Sequence, residues 1–216
     1  MYIQIMGNSG TFWEVDPNTR AAHFTPRPID VGGLGAYAVT FSGTVAAGLG
    51  AASPIFSIRW TDLTRVALMR NIRVSMQSQG IAFAAGTALL ELVAARQFQT
   101  FDTGGTLVSV ASNAAKRRTS FGSSLFTDIR VGLAGTNIAA GGRTLDSNAL
   151  SAIRFGTTTT TNAVQLPTTA IWSPDFSGEW PLVLSQTEGF IIRATVPATG
   201  NWGFDVSMEW SELASF

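Results

Sequence analysis

The sequence predicts an all-β protein, an antiparallel two-sheet β-sandwich of jelly-roll type. Three observations lead there. Apolar and polar side chains alternate with period two along several stretches, the spacing of strands with one buried face. Gly, Ser and Thr interrupt these stretches at short intervals, as turns require. The one segment with a helical period, Ala88–Phe98, also suits a strand and lacks a cap-and-stop pair, so it is assigned to a strand. At 216 residues the chain is long enough for one large all-β domain with a sizeable core.

Taken in order, Met1–Pro28 is broken by Pro17, Pro26 and Pro28. It reads either as an extended arm that reaches a neighbouring subunit or as a first edge strand with its loop. The boundary is placed there, with an N-terminal arm over 1–28 and a single sandwich domain over 29–216. Val31–Ile58 contains no charged side chain and is long enough to cross a bilayer. Its six glycines, three serines and proline argue against a membrane helix. Tyr37, Val39 and Phe41 share one side, so the stretch reads as a strand, a Gly/Ala turn and a second strand.

Phe56, Ile58 and Trp60 form the apolar face of the next strand. From Val66 to Met76, a strict alternation puts Val66, Leu68, Arg70, Ile72, Val74 and Met76 on one side. Shorter strands are expected near Leu107–Ala111, Ile129–Leu133, Ile153–Phe155 and Pro181–Leu184. The uncharged stretch Phe155–Pro174, with its threonine run Thr157–Thr161, reads as an exposed loop or an extended arm. Phe190, Ile192, Ala194 and Val196 then face one way, followed by Phe204, Val206, Met208 and Trp210. The link Pro197-Ala198-Thr199-Gly200 suggests that these two strands pair as a hairpin. The total is eight to ten strands.

Composition narrows the function classes. Net charge is zero, which argues against a non-specific nucleic-acid binder. Cysteine is absent, so no disulfide or thiolate metal site is expected. The first residues, MYIQIMGNSGTFWEVD, lack the basic and apolar regions of a signal peptide. Charged residues make up only 13%, about half the usual share, and 45% are apolar. Thirteen arginines stand against one lysine, Lys116. Arginine is favoured in interfaces and lysine depleted, although GC-rich codon usage gives the same bias. With so little charge, the balance points to an oligomer.

No residue is assigned to catalysis, a cofactor or a metal, and the chain is expected not to be an enzyme. Phe101-Asp102-Thr103-Gly104 matches the signature of aspartic proteases, but Gly105 follows directly, and Asp-Thr-Gly-Gly is an ordinary tight turn. His23, the single histidine, is read as a surface or interface residue. Glu14 with Asp16, and Asp175 with Glu179, lack the oxygen-rich loop of a calcium site. Lys116-Arg117-Arg118 is the only basic cluster, suited to a phosphate or an acidic loop of a partner, or simply to water. Trp13, Trp172, Trp180 and Trp202 lie in turn-rich contexts. They are read as interface anchors in preference to a sugar-stacking platform. The candidate interface residues are therefore Trp13, Trp172, Trp180, Trp202, Arg117 and Arg118.

One further feature lies near the C-terminus. The run WPLVL at 180–184, the run EGFIIRATVPATGNW at 188–202 and the closing Glu209-Trp210 resemble the ending of structural proteins of tailed bacteriophages. The resemblance implies a virion component assembled in the host bacterial cytoplasm, such as a capsid decoration or cement protein or a related head or tail protein. It also implies a homo-oligomer, commonly a trimer, that contacts the major capsid protein, with no membrane, specific nucleic acid or cofactor as partner. The alternative function is a receptor- or glycan-binding module of a head or tail fibre.

Overall fold

A computed structural model describes residues 35–45, 52–79, 86–110, 115–133, 136–157, 165–173, 181–197 and 199–214. The expected N-terminal arm lies outside the described residues. Twelve strands follow one another: β1 (Gly35–Val45), β2 (Ser53–Arg59), β3 (Val66–Gln79), β4 (Gly86–Arg96), β5 (Thr106–Val108), β6 (Asp128–Val131), β7 (Thr144–Leu145), β8 (Ser151–Thr157), β9 (Gln165–Trp172), β10 (Leu182–Leu184), β11 (Gly189–Thr195) and β12 (Asn201–Leu213). Ala88–Phe98, ambiguous by pattern, is thus a strand over most of its length. Among the described residues no helix is long and apolar enough to cross a membrane.

The strands form two antiparallel sheets. The five-stranded sheet runs β1-β12-β3, with β9 and β10 both on the far side of β3. The seven-stranded sheet runs β5-β6-β2-β11-β4, with β7 and β8 both on the far side of β4. From β1 to β4 the chain changes sheet at every connection, and it does so again from β10 to β12. β1 and β2, the two halves of the uncharged stretch, therefore sit in opposite sheets.

This order corrects the expected hairpin. β11 pairs with β2 and β4, whereas β12 pairs with β1 and β3, so the link after β11 crosses between sheets. Burial explains the choice. Phe190, Ile192 and Ala194 face the core, while Ile191 on the opposite face is also only 1% exposed. A strand buried on both faces belongs in the middle of a sheet. Gly189 permits this close fit, because a Cβ there would lie 2.0 Å from the Ile58 carbonyl oxygen of β2.

The core lies between the sheets. Phe41 of β1 meets Phe56 of β2 with ring centroids 5.5 Å apart. At one end Phe126, on the segment leading into β6, packs edge-on against Trp60 at 4.8 Å and Trp210 at 5.4 Å. Tyr37 stacks on Trp210 at 5.4 Å. Such ring pairs add roughly 0.5–1.5 kcal/mol each beyond the area they bury.

Three sequence expectations change in detail. The alternation along β3 is not strict, because Glu209 pairs with Asn71 while Trp210 pairs with Met69, leaving Arg70 as a bulge. Ala67 and Met69 face the core before the bulge, and Ile72, Val74 and Met76 after it. Strict alternation would have buried the Arg70 guanidinium, and the bulge avoids that cost. Part of the stretch Phe155–Pro174 forms β9, an edge strand, where Pro167 removes no needed ladder donor. Finally, the described residues hold twelve strands where eight to ten are expected, and two-residue β7 is too short to show a period.

The ring cluster at the closed end supports one prediction. Phe126→Ala is expected to lower unfolding stability by about 3–5 kcal/mol, measured by denaturant titration, because it empties the site between two tryptophans.

Candidate functional site

Among the described residues, the outer face of the seven-stranded sheet brings several charged side chains together. β2 contributes Ser57 and Arg59, and β6 presents Arg130 and Asp128 directly opposite them. Residues directly across an antiparallel ladder share a face, so all four project outward, away from the core residues Phe56, Ile58, Ile129 and Val131. The chain after β4 and the chain before β7 fold over this face.

Asp102 is the centre of that cover. Its Oδ1 accepts the Gly141 N–H at 2.7 Å, and its Oδ2 accepts the Ser57 hydroxyl at 2.6 Å. Arg143 closes an ion pair with the same carboxylate and lies over the Phe98 ring at 5.5 Å. Asp102 is fully buried, and the Arg143 side chain is only 3% exposed. Burial also pushes the Arg143 guanidinium below the usual arginine range. Gly104 and Gly105 have φ of +70° and +58°, so Asp-Thr-Gly-Gly is a turn. Both oxygens of Asp102 are committed to groups of its own chain, which makes it a clamp for the 97–105 and 136–143 segments.

Next to this clamp, Arg59 lies over Phe101 at 4.8 Å and Phe98 at 6.0 Å. Arg130 donates from Nη1 to the Gly104 carbonyl at 2.8 Å, and its Nε lies 3.8 Å from Asp128 Oδ1. Burial raises the Asp128 carboxyl above its ordinary range, against the pull of the two arginines.

A second buried acid closes the end of the sandwich. Glu212 continues the inward face of β12 beyond Trp210 and is fully buried. Its Oε1 accepts from Ser124 Oγ at 2.8 Å, Leu125 N–H at 3.0 Å and Trp210 Nε1 at 3.3 Å. Its Oε2 has no hydrogen-bond partner. Burial raises the Glu212 carboxyl above its ordinary value, and burial with Glu212 nearby pushes the Tyr37 hydroxyl up to about 12.

The outer face of the five-stranded sheet is polar and mostly uncharged. Asp205 of β12 accepts the Ser42 hydroxyl at 2.6 Å and the Ser75 hydroxyl at 3.1 Å. They flank an open groove of about 330 Å³ that Gln77, Gln79 and Gln165 also line.

The candidate interface residues do not converge. Trp13 and Trp180 lie outside the described residues, as do His23, Glu14, Asp16, Asp175 and Glu179. Trp172 ends β9, half-buried against the core. Trp202 corrects its expected placement: it is wholly inside β12's core face, with Phe155 edge-on at 6.0 Å. Its Gly/Asn context resembled a turn, but the alternation from Trp202 to Trp210 was the stronger signal. Arg117 pairs with Glu209 of its own chain at 2.8 Å, and Arg118 lies over Phe121 at 5.5 Å. Both are exposed. Sequence reasoning missed Arg59, Arg130, Arg143 and Glu212, since single charges on scattered strands carry no motif. Among the described residues no group of three or more His, Asp and Glu could hold a metal.

No protein-family model matches this chain, and no curated protein or solved structure matches it significantly.

Two predictions concern the buried acids. Asp102→Ala leaves Arg143 buried without its partner and is expected to cost about 3–5 kcal/mol by denaturant titration. For Glu212 the sign is opposite to that of a salt-bridged acid. As pH rises above the ordinary value of 4.5, the unfolded chain ionises first, so this group's contribution to stability falls. Glu212→Gln should therefore gain stability relative to wild type as pH rises above 4.5, and a pH-independent difference would contradict the upward shift.

Proposed function

We propose that this chain is a non-enzymatic structural protein of a bacteriophage virion, a decoration or cement protein that stabilises the capsid through repeated contacts. In this reading copies associate as a trimer and bind the major capsid protein, with residues 1–28 serving as an arm to a neighbour. It is assembled in the bacterial cytoplasm and resides in the virion. Neither a membrane nor a specific nucleic acid is a partner.

The strand order carries the proposal. The order β1-β12-β3-β9 facing β2-β11-β4-β8 supports reading the sandwich as a jelly roll, an architecture common in viral capsid and lectin domains. Because one fold serves many functions, the architecture supports the reading together with the C-terminal resemblance and the 13% charged fraction, not alone. Shells gain their stability from many symmetric contacts, each modest in area.

A second reading, a glycan-binding head, draws on the groove beside Asp205, where hydroxyl, carboxylate and amide groups converge as they do around a sugar.

Light scattering during size exclusion separates the two. The structural reading predicts a particle of three chain masses, and a monomer at every concentration contradicts it. A monomer that binds a glycan array, and loses binding on Asp205→Ala, would support the second reading instead.

A further inference from the structure

We infer that the outer face of the seven-stranded sheet, from Arg59 to the edge strand β5, docks an extended acidic segment of another polypeptide. The inference deepens the assembly reading above by naming a surface and the chemistry of its partner.

Arg59 is the anchor. Its guanidinium lies over the faces of Phe98 and Phe101, which fix its plane. Among the described residues it donates no hydrogen bond; its Nε is buried without a partner, and the side chain is only partly exposed. An arginine already held flat, with its donors uncommitted, is preorganised for bidentate binding of a carboxylate. The neighbouring charges favour an anion. Asp102 is taken by Arg143, and Asp128 faces both Arg59 and Arg130, which leaves one surplus positive charge on this face.

The edge strand supplies the rest of the surface. Among the described residues β5 pairs on one side only, with β6. Leu107 stands opposite Arg130 and is 55% exposed, while Phe101 on Arg59 is 49% exposed. Phe101 and Arg59, residue types enriched in protein interfaces, lie on the same face as the exposed Leu107. A partner segment lying across this face, with acidic and apolar side chains two residues apart on one side of its backbone, would place a carboxylate on Arg59 and an apolar group against Phe101 or Leu107.

The test uses the full-length chain and a terminally blocked probe, acetyl-Glu-Thr-Val-Thr-Glu amide carrying a fluorophore, whose Glu, Val and Glu side chains share one side, read by fluorescence anisotropy. Saturable binding is expected, at least ten-fold weaker for Arg59→Gln, for Leu107→Asp, and for the probe with Gln in place of both Glu. Far-UV circular dichroism verifies that each variant is folded, and Arg118→Gln serves as a control with unchanged affinity. No saturable binding by wild type, or equal affinity of the Gln probe or of Arg59→Gln, overturns the inference. A monomeric chain that still binds the probe in this way would sink the trimer and leave this surface standing.

Discussion

Both sheets depend on strands that arrive last. β12 lies between β1 and β3, and β11 lies between β2 and β4, so neither sheet has its central ladder until the C-terminal strands insert. The pairing Gly35↔Glu212 joins opposite ends of the described chain. Closing such loops costs chain entropy before any contact repays it, which makes folding of this kind slow and cooperative. The same insertion brings Trp202, Phe204, Val206, Met208 and Trp210 into the centre of the core in one step. It also carries Glu212 inward, because the alternation does not stop where the apolar residues do.

The sparse charges are placed as this architecture demands. On the five-stranded sheet, water meets hydroxyl groups that bond to each other across strands, as Thr40 and Ser207 do at 2.8 Å. Most ion pairs lie at strand ends or between neighbouring strands, such as Arg193 with Glu91 at 2.8 Å and Arg96 with Glu188 at 2.9 Å. Part-exposed pairs such as Arg96 with Glu188 contribute little, about 0–1 kcal/mol each. The exception is Asp102 with Arg143, buried under the loop layer, where the pair fixes two segments over the sheet. That clamp positions Phe98 and Phe101 beneath Arg59, so a structural ion pair shapes the adjoining surface.

Much of this was legible in the sequence, and the rest fails for identifiable reasons. Period-two alternation located β2, β11 and β12 closely, because each turns one regular apolar face to the core. It missed the phase change in β3, since a bulge at Arg70 is a tertiary compromise with β12 and leaves no local mark. It placed β11 and β12 in one hairpin because alternation reports which face is buried and not which strand lies alongside. β9 was hidden by its threonines and Pro167, tolerable on an edge but unpromising in isolation. Asp102 was read as a turn residue, which it is, but its burial against Arg143 joins positions 41 residues apart and has no sequence signature.

Native-state hydrogen exchange on the full chain tests the central dependence most directly. If β11 and β12 complete both sheets, their amides should open with the same free energy as those of β1, β3, β2 and β4, in one cooperative unit. Rapid exchange of β11 and β12 while β2, β3 and β4 stay protected would contradict the account.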